Sequence, residues 1–247
     1  MAMHAYLFLG SICSSKTTTI RKLASILRSK GFNVISIEVN INHGLTYLVT
    51  RFIVSLSRYR YIGNYYLTLR FNNSHVFCKY LPLMMFLDLL FIPIKYATIL
   101  LRIALTLITK KIHTVILIDE YYPNAIVDYG YFVNELCEKG GLVKAIYTLF
   151  YKVAMSYTIN TFKKIKSAVV VFISANSLVA VKLWHEREHS RIYDFVHFHY
   201  RTIGILVISN TLKGYSHALF FRVNDPRKDE VEILKSLIQD IMAKNHA

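Results

Sequence analysis

The chain has 247 residues, 54% of them hydrophobic, with 30 Lys and Arg against 15 Asp and Glu for a formal net charge of +15. That length suits one α/β domain with insertions, or at most two small ones, and it is enough to bury a sizeable core. The basic residues are scattered rather than clustered, which argues against a dedicated nucleic-acid tail and against specific nucleic acid as a partner.

Residues 5–9 are a short apolar run followed by Gly10, the pattern of a buried strand. The start lacks a charged leader and a small-residue cleavage site, so it does not read as a signal peptide. Residues 16–30 have helical spacing, with Ile20, Leu23, Ala24 and Leu27 on one face and Gly31 in the usual stop position. Residues 33–39 are a second strand. Strand, loop, helix and strand in about 35 residues make a βαβ unit with parallel strands. Residues 45–60 are amphipathic and helical. Residues 61–80, Tyr-rich and basic, read as a loop with short helical turns.

The apolar stretch at 81–109 follows. From residue 83 on, its only charges are Asp88, Lys95 and Arg102, spaced by seven, with Thr109 continuing the series. Seven residues are two helical turns, so these form one narrow polar stripe, and Pro93 predicts a kink or interruption. Three placements stay open. The stretch is a packed helix in the core or at a homodimer interface, a helix on an anionic membrane surface, or a true span. The charges make the span expensive.

Residues 114–118 are a third strand ending at Asp119, 142–164 a long helix and 168–173 a fourth strand. Residues 177–200 are helical with mixed charge, 216–223 are the last strand, and 227–243 form a closing amphipathic helix. Strands alternating with helices predict an α/β fold with a mostly parallel sheet flanked by helices. Ligands of such sheets sit at the carboxyl ends of strands, where Gly10 and Asp119 both fall.

Charge is uneven along the chain. Residues 1–118 carry 14 Lys and Arg and two acids, Glu38 and Asp88, while residues 119–247 carry 16 and 13. A basic first half attracts phosphates of nucleotides or anionic lipid. Cys13, Cys78 and Cys137 lie far apart without a CxxC pair, which predicts free thiols in a reducing, cytoplasmic setting.

Residues 10–17 read G-S-I-C-S-S-K-T, against the phosphate-loop pattern G-x-x-x-x-G-K-[ST]. Gly10, Ser11, Cys13, Ser14, Ser15, Lys16, Thr17 and Thr18 are the candidate nucleotide contacts. The loop would turn backbone N–H groups inward as an anion nest ahead of a helix N-terminus. Lys16 would reach the β and γ phosphates of ATP, and the Thr17 hydroxyl would hold Mg²⁺. Ser15 stands where the pattern has its second glycine, a position that often needs a backbone costing a side chain about 1–2 kcal/mol.

T-V-I-L-I-D-E at 114–120 is a hydrophobic strand ending in acid. Asp119 would hold Mg²⁺ directly or through water, and Glu120 would polarise an attacking hydroxyl or water. His185–His189 reads H-E-R-E-H and matches a zinc motif, but Ile192 and Phe195 stand where the metzincin continuation needs Gly and His. A mixed-charge helix surface is the better reading there.

These segments together resemble the thymidylate kinase branch of P-loop nucleotide kinases, particularly its archaeal relatives. YLFLGSICSSKTTTIRKLASILRSKGFNV follows the family's strand, phosphate loop, helix and turn. DEYYPNAIVDY is similar to its Asp-Arg-Tyr segment and a second Asp, here Asp128. VVVFISANSLVAVKLWHEREHSRIYDF resembles the strand leading to the lid helix, and SHALFFRVNDPRKDEVEILKSLIQDI the closing strand and helix. The resemblance implies one domain over 1–247 with a three-layer P-loop NTPase fold, an apolar helical insertion at about 81–109 and a lid-like segment at about 177–200. It implies Mg-ATP as donor, a nucleoside or nucleotide acceptor, Lys16, Arg187 and Arg191 around the transferring phosphate, and Asp119 near metal or acceptor.

Two positions depart from that family. One is Ser15. The other is Glu120, where the family has an Arg that holds the acceptor phosphate, so a neutral acceptor fits better than thymidylate. A catalytically degenerate protein acting in nucleotide sensing, assembly or at a membrane surface is the alternative.

Overall fold

The structure is a computed structural model and describes residues 2–11, 14–38, 45–61, 65–108, 113–119, 122–137, 140–165, 167–188 and 194–246. Its centre is a parallel sheet in which β1 (Ala2–Gly10) lies between β3 (His113–Asp119) and β4 (Ser167–Ala175). β2 (Asn33–Glu38) pairs outside β3, and β5 (His217–Val223) pairs outside β4, for the order β2-β3-β1-β4-β5. After β2 and β3 on one side of β1, the chain crosses to β4 and β5 on the other. The carboxyl end of β1 is therefore the topological switch point, where α/β sheets open a crevice for ligands.

Side chains alternate across the strands and build a core on each face. Tyr6, Phe8, Val115, Leu117 and Val171 pack with Leu23 and Leu27 of α1 (Lys16–Ser29), Ala180 of α7 (Ser177–Glu188), and Leu237 and Ile241 of α9 (Pro226–His246). Leu7, Leu9, Ile116, Ile118 and Phe172 pack on the other face. They meet α2 (Leu45–Ser57), α3 (Tyr65–Asn72), α4 (Ser74–Ile108), α5 (Tyr122–Tyr131), a π-helical turn (Phe132–Leu136) and α6 (Gly141–Lys164). α8 (Phe195–Leu212) contributes Phe198 to the first core and Ile205 to the second. The result is a three-layer α/β architecture with one long apolar helix added.

Four sequence expectations change. Residues 61–80 are not mainly loop: α3 and the start of α4 occupy most of them. α4 continues through both Pro82 and Pro93, so Pro93 does not interrupt it. A proline removes one helical hydrogen bond, and the packed turns around it hold the helix. The stripe at 88, 95 and 102 rotates from core to solvent. Asp88 is buried and accepts hydrogen bonds from Thr46 Oγ1 and Tyr129 OH, each at 2.7 Å; Lys95 is half-buried and Arg102 exposed. The described residues of 177–200 divide between α7 and the start of α8, which runs on to Leu212.

The cysteine expectation is also corrected. Cys78 on α4 and Cys137 after the π-helical turn form a disulfide, with Cα atoms 5.4 Å apart and a sequence separation of 59. Spacing along the chain hid this pair because tertiary packing of two helical segments brings it together. Cys13 lies outside the described residues.

Candidate functional site

Gly10 ends β1 beside Ile173 of β4, and a Cβ there would sit 1.8 Å from the Ile173 carbonyl oxygen. Its φ is +147°, so both space and backbone require glycine. The Ser11 amide donates to the Ile173 carbonyl at 3.2 Å, and the Ser11 hydroxyl accepts from the Ala175 amide at 3.0 Å. These contacts anchor the first half of the loop to β4.

Ser15 leads into α1 with φ 60° and ψ 13°, in the left-handed region. This is the position where the pattern carries its second glycine, and the strain expected of a side chain there is present, about 1–2 kcal/mol. Ser15 makes no side-chain cap to the helix, and the first turn of α1 holds no acid. The helix thus brings no acid of its own to its N-terminal amides and positive dipole end, a setting suited to phosphate.

Lys16 is buried at 6% exposure. Its ammonium donates to the Ser11 carbonyl at 2.7 Å, the Ser14 hydroxyl at 3.2 Å and the Gly10 carbonyl at 3.4 Å. The lysine therefore curls back over its own loop. A phosphate entering the nest would replace neutral acceptors with an anionic one, which makes stronger hydrogen bonds with an ammonium. Thr18 is exposed at the third helical position.

Across the loop, the Thr17 hydroxyl donates to Asp119 Oδ2 at 2.7 Å. Asp119 ends β3, in register with Phe8 of β1, and is 5% exposed. One hydroxyl and one carboxylate meeting at the mouth of a phosphate nest are hard oxygen donors, a set that fits Mg²⁺ completed by water and phosphate oxygens. Among the described residues no group of three or more His, Cys, Asp and Glu gathers as a metal cage.

Two residues beyond those expected stand near this end of the sheet. Glu38 closes β2, in register with Asp119, and is exposed. Asn124 lies in the first turn of α5, five positions after Asp119; its residue is 1% exposed, and neither amide atom has a hydrogen-bond partner among the described residues. A buried unpaired amide costs roughly 1–3 kcal/mol unless something binds it. An Asn after a proline carries no such signal in sequence; only burial reveals it.

Asp128, the last Asp of the DEYYPNAIVDY segment, is buried on α5. Its two oxygens meet His197 Nε2 and an Arg201 guanidinium nitrogen, each at 2.9 Å. His197 Nδ1 lies 3.2 Å from Arg70 of α3, and Arg70 pairs with Asp194, which caps α8 by accepting from the His197 amide at 2.8 Å. The Tyr131 hydroxyl donates to Asp194 at 3.0 Å, and its ring stacks on His197. Burial alone would raise the Asp128 pKa, but Arg201, the His197 hydrogen bond and Arg70 reverse this and hold its carboxyl below the usual range. Burial also lowers the His197 pKa, despite the opposing pull of Asp128. A neutral imidazole donating from Nε2 and accepting at Nδ1 satisfies both neighbours. The network ties α3, α5 and α8 together with two cations balancing two anions, and so positions α5 behind the site rather than offering a free acid.

Glu120 and Arg191 lie outside the described residues. Arg187 falls on α7, which starts just past the carboxyl end of β4. His185 and Glu186 of the HEREH run are on α7, and His189 lies outside the described residues.

No protein-family model matches the chain, and no curated protein matches it in sequence. Solved structures do. A thymidylate kinase from Ehrlichia chaffeensis aligns with TM-score 0.49 and 14% identity over 96% of this chain and 100% of that one. A deoxyadenosine kinase from M. mycoides, solved with bound dCTP, aligns with TM-score 0.56 and 11% identity over 95% of this chain and 99% of that one. At this identity the likeness is one of fold.

Proposed function

We propose that the chain is a phosphotransferase of the nucleoside kinase type, with Mg-ATP as donor and a neutral hydroxyl acceptor. The observation that carries this reading is the Thr17–Asp119 contact at 2.7 Å beside the loop that Lys16 crosses. The nest amides and Lys16 would bind the β and γ phosphates, and Thr17 and Asp119 would hold Mg²⁺. Bound Mg²⁺ would supply charge neutralisation at the transferring phosphoryl group. Glu38, one strand from Asp119, is a carboxylate of the right type to accept the acceptor's proton, and Glu120 is a second. Asn124 would hydrogen-bond the acceptor. Arg187 and Arg191 would close over the phosphates from the lid-like segment.

We treat 1–247 as one kinase-like domain of a divergent branch, related in pattern to the archaeal thymidylate kinases. The anionic Glu120 in place of an Arg favours a nucleoside over a nucleoside monophosphate. The reading puts the protein in the cytoplasm, where ATP is available. The Cys78–Cys137 bond must then withstand cellular thiols, and Cys137, at 7% exposure, is poorly reached by them.

Transfer of labelled γ-phosphate from ATP to a panel of nucleosides tests this. Magnesium-dependent transfer by the wild type, lost in Asp119→Asn, is the expected outcome. A second reading, nucleotide binding without transfer, is supported by the strained Ser15, and binding with no labelled product from any acceptor would select it.

A further inference from the structure

We propose that α2 and α4 form a face that rests on an anionic lipid bilayer, a property separate from the phosphotransfer reading. α4 is long and apolar enough to cross a membrane, and only 28% of its most apolar stretch is buried. The buried side is a regular stripe through Leu81, Met84, Ile92 and Ile99. The opposite side is equally apolar and open: Leu90, Ile94, Leu101 and Leu105 are each more than half exposed. These recur at helical spacing, and from Leu83 to Leu105 the stripe runs about 33 Å at 1.5 Å per residue. α2 packs on α4 through Thr46, whose hydroxyl reaches Asp88, and turns Phe52 (65% exposed) and Leu56 (68% exposed) outward. A soluble monomer rarely exposes so continuous an apolar surface.

Charge identifies the occupant. Between residues 45 and 108 the only acid is Asp88, and it is buried. Arg51, Arg58, Arg60, Lys79 and Arg102 are exposed in the same stretch. An apolar face bordered by cations and free of exposed acid matches acyl chains below anionic headgroups. A second copy of the chain would bring the same cations against it, and like-charge contact opposes pairing. α4 lies on the bilayer rather than through it, because its inner stripe and the bonded Asp88 belong to the core.

Flotation with vesicles tests this, using phosphatidylcholine alone or mixed with phosphatidylserine. The full chain is expected to float with the mixed vesicles, to stay unbound with phosphatidylcholine alone, and to detach as salt is raised. Leu90→Glu with Ile94→Glu changes only exposed side chains and should abolish flotation while leaving thermal unfolding unchanged. Arg51→Glu with Lys79→Glu should abolish it as well. Failure of the wild type to bind either vesicle overturns the proposal, as does undiminished binding by Leu90→Glu with Ile94→Glu. A dimer in sedimentation, broken by the same substitutions in a protein that ignores vesicles, would assign the face to a second copy instead.

Discussion

The Thr17 hydroxyl and the Asp119 carboxylate meet at 2.7 Å although 102 residues separate them in sequence. Thr17 is placed by the loop at the end of β1, and Asp119 by the end of β3, and the parallel pairing of the two strands makes the contact. On the proposed reading these are the two Mg²⁺ ligands, already together before any ligand arrives, so binding would not have to order both groups.

Ser15→Gly should stabilise the protein. Removing the Cβ relieves the left-handed strain at φ 60°, offset in part by the greater freedom of glycine in the unfolded chain. The expected gain is about 1 kcal/mol, or about 2–4 °C in Tm for a chain of this size. Differential scanning calorimetry checks it, and a lower Tm would show that Ser15 makes contacts worth more than its strain.

Asn124→Leu should separate stability from activity. Replacing a buried amide that has no partner among the described residues with an apolar side chain of similar size removes a desolvation cost of roughly 1–3 kcal/mol. Tm is expected to rise while the KM for the acceptor increases and the affinity for ATP stays the same. An unchanged acceptor KM would remove Asn124 from the acceptor site.

Stability should fall as pH drops below about 6.5. The folded His197 has a pKa below its ordinary 6.5, so the unfolded chain binds the proton more readily, and the stability present above 6.5 is lost on acidification. Asp128 is likewise depressed from 3.8 and adds a further loss at lower pH. Urea melts from pH 8 to pH 5 follow the first step. In His197→Gln the slope across that range should flatten, since Gln keeps one donor and one acceptor without titrating.

Reduction of the Cys78–Cys137 bond should lower Tm. Releasing a 59-residue loop restores entropy to the unfolded chain, about 4 kcal/mol by the loop-length relation. Unfolding with and without reductant, beside Cys78→Ser, measures it. Two thiols titratable in the untreated folded protein, with no response to reductant, would contradict the bond.

Local chemistry was legible in the sequence, and long-range pairing was not. Eight residues from Gly10 to Thr17 carried the loop, the helix start and the strain at Ser15, because each depends on neighbours in the chain. Alternating apolar runs carried the parallel sheet and brought Asp119 to the same edge as Gly10. The stretch that holds α3 is Tyr-rich and basic, which in sequence reads as a loop with short helical turns; Arg70 is buried there against His197 and Asp194 at the start of α8. The partners of Asp128, the disulfide and the unpaired Asn124 depend on the same kind of packing, which has no period to read.

Titration of the purified protein with ATP, with and without Mg²⁺, beside Lys16→Met, tests the phosphate site most directly. Met keeps the buried apolar stem of Lys16 and removes the charged ammonium with its hydrogen bonds to the loop. Magnesium-strengthened binding by the wild type that is lost in a folded Lys16→Met is the predicted result. No ATP binding by the folded wild type, or equal binding by both proteins, would contradict the site.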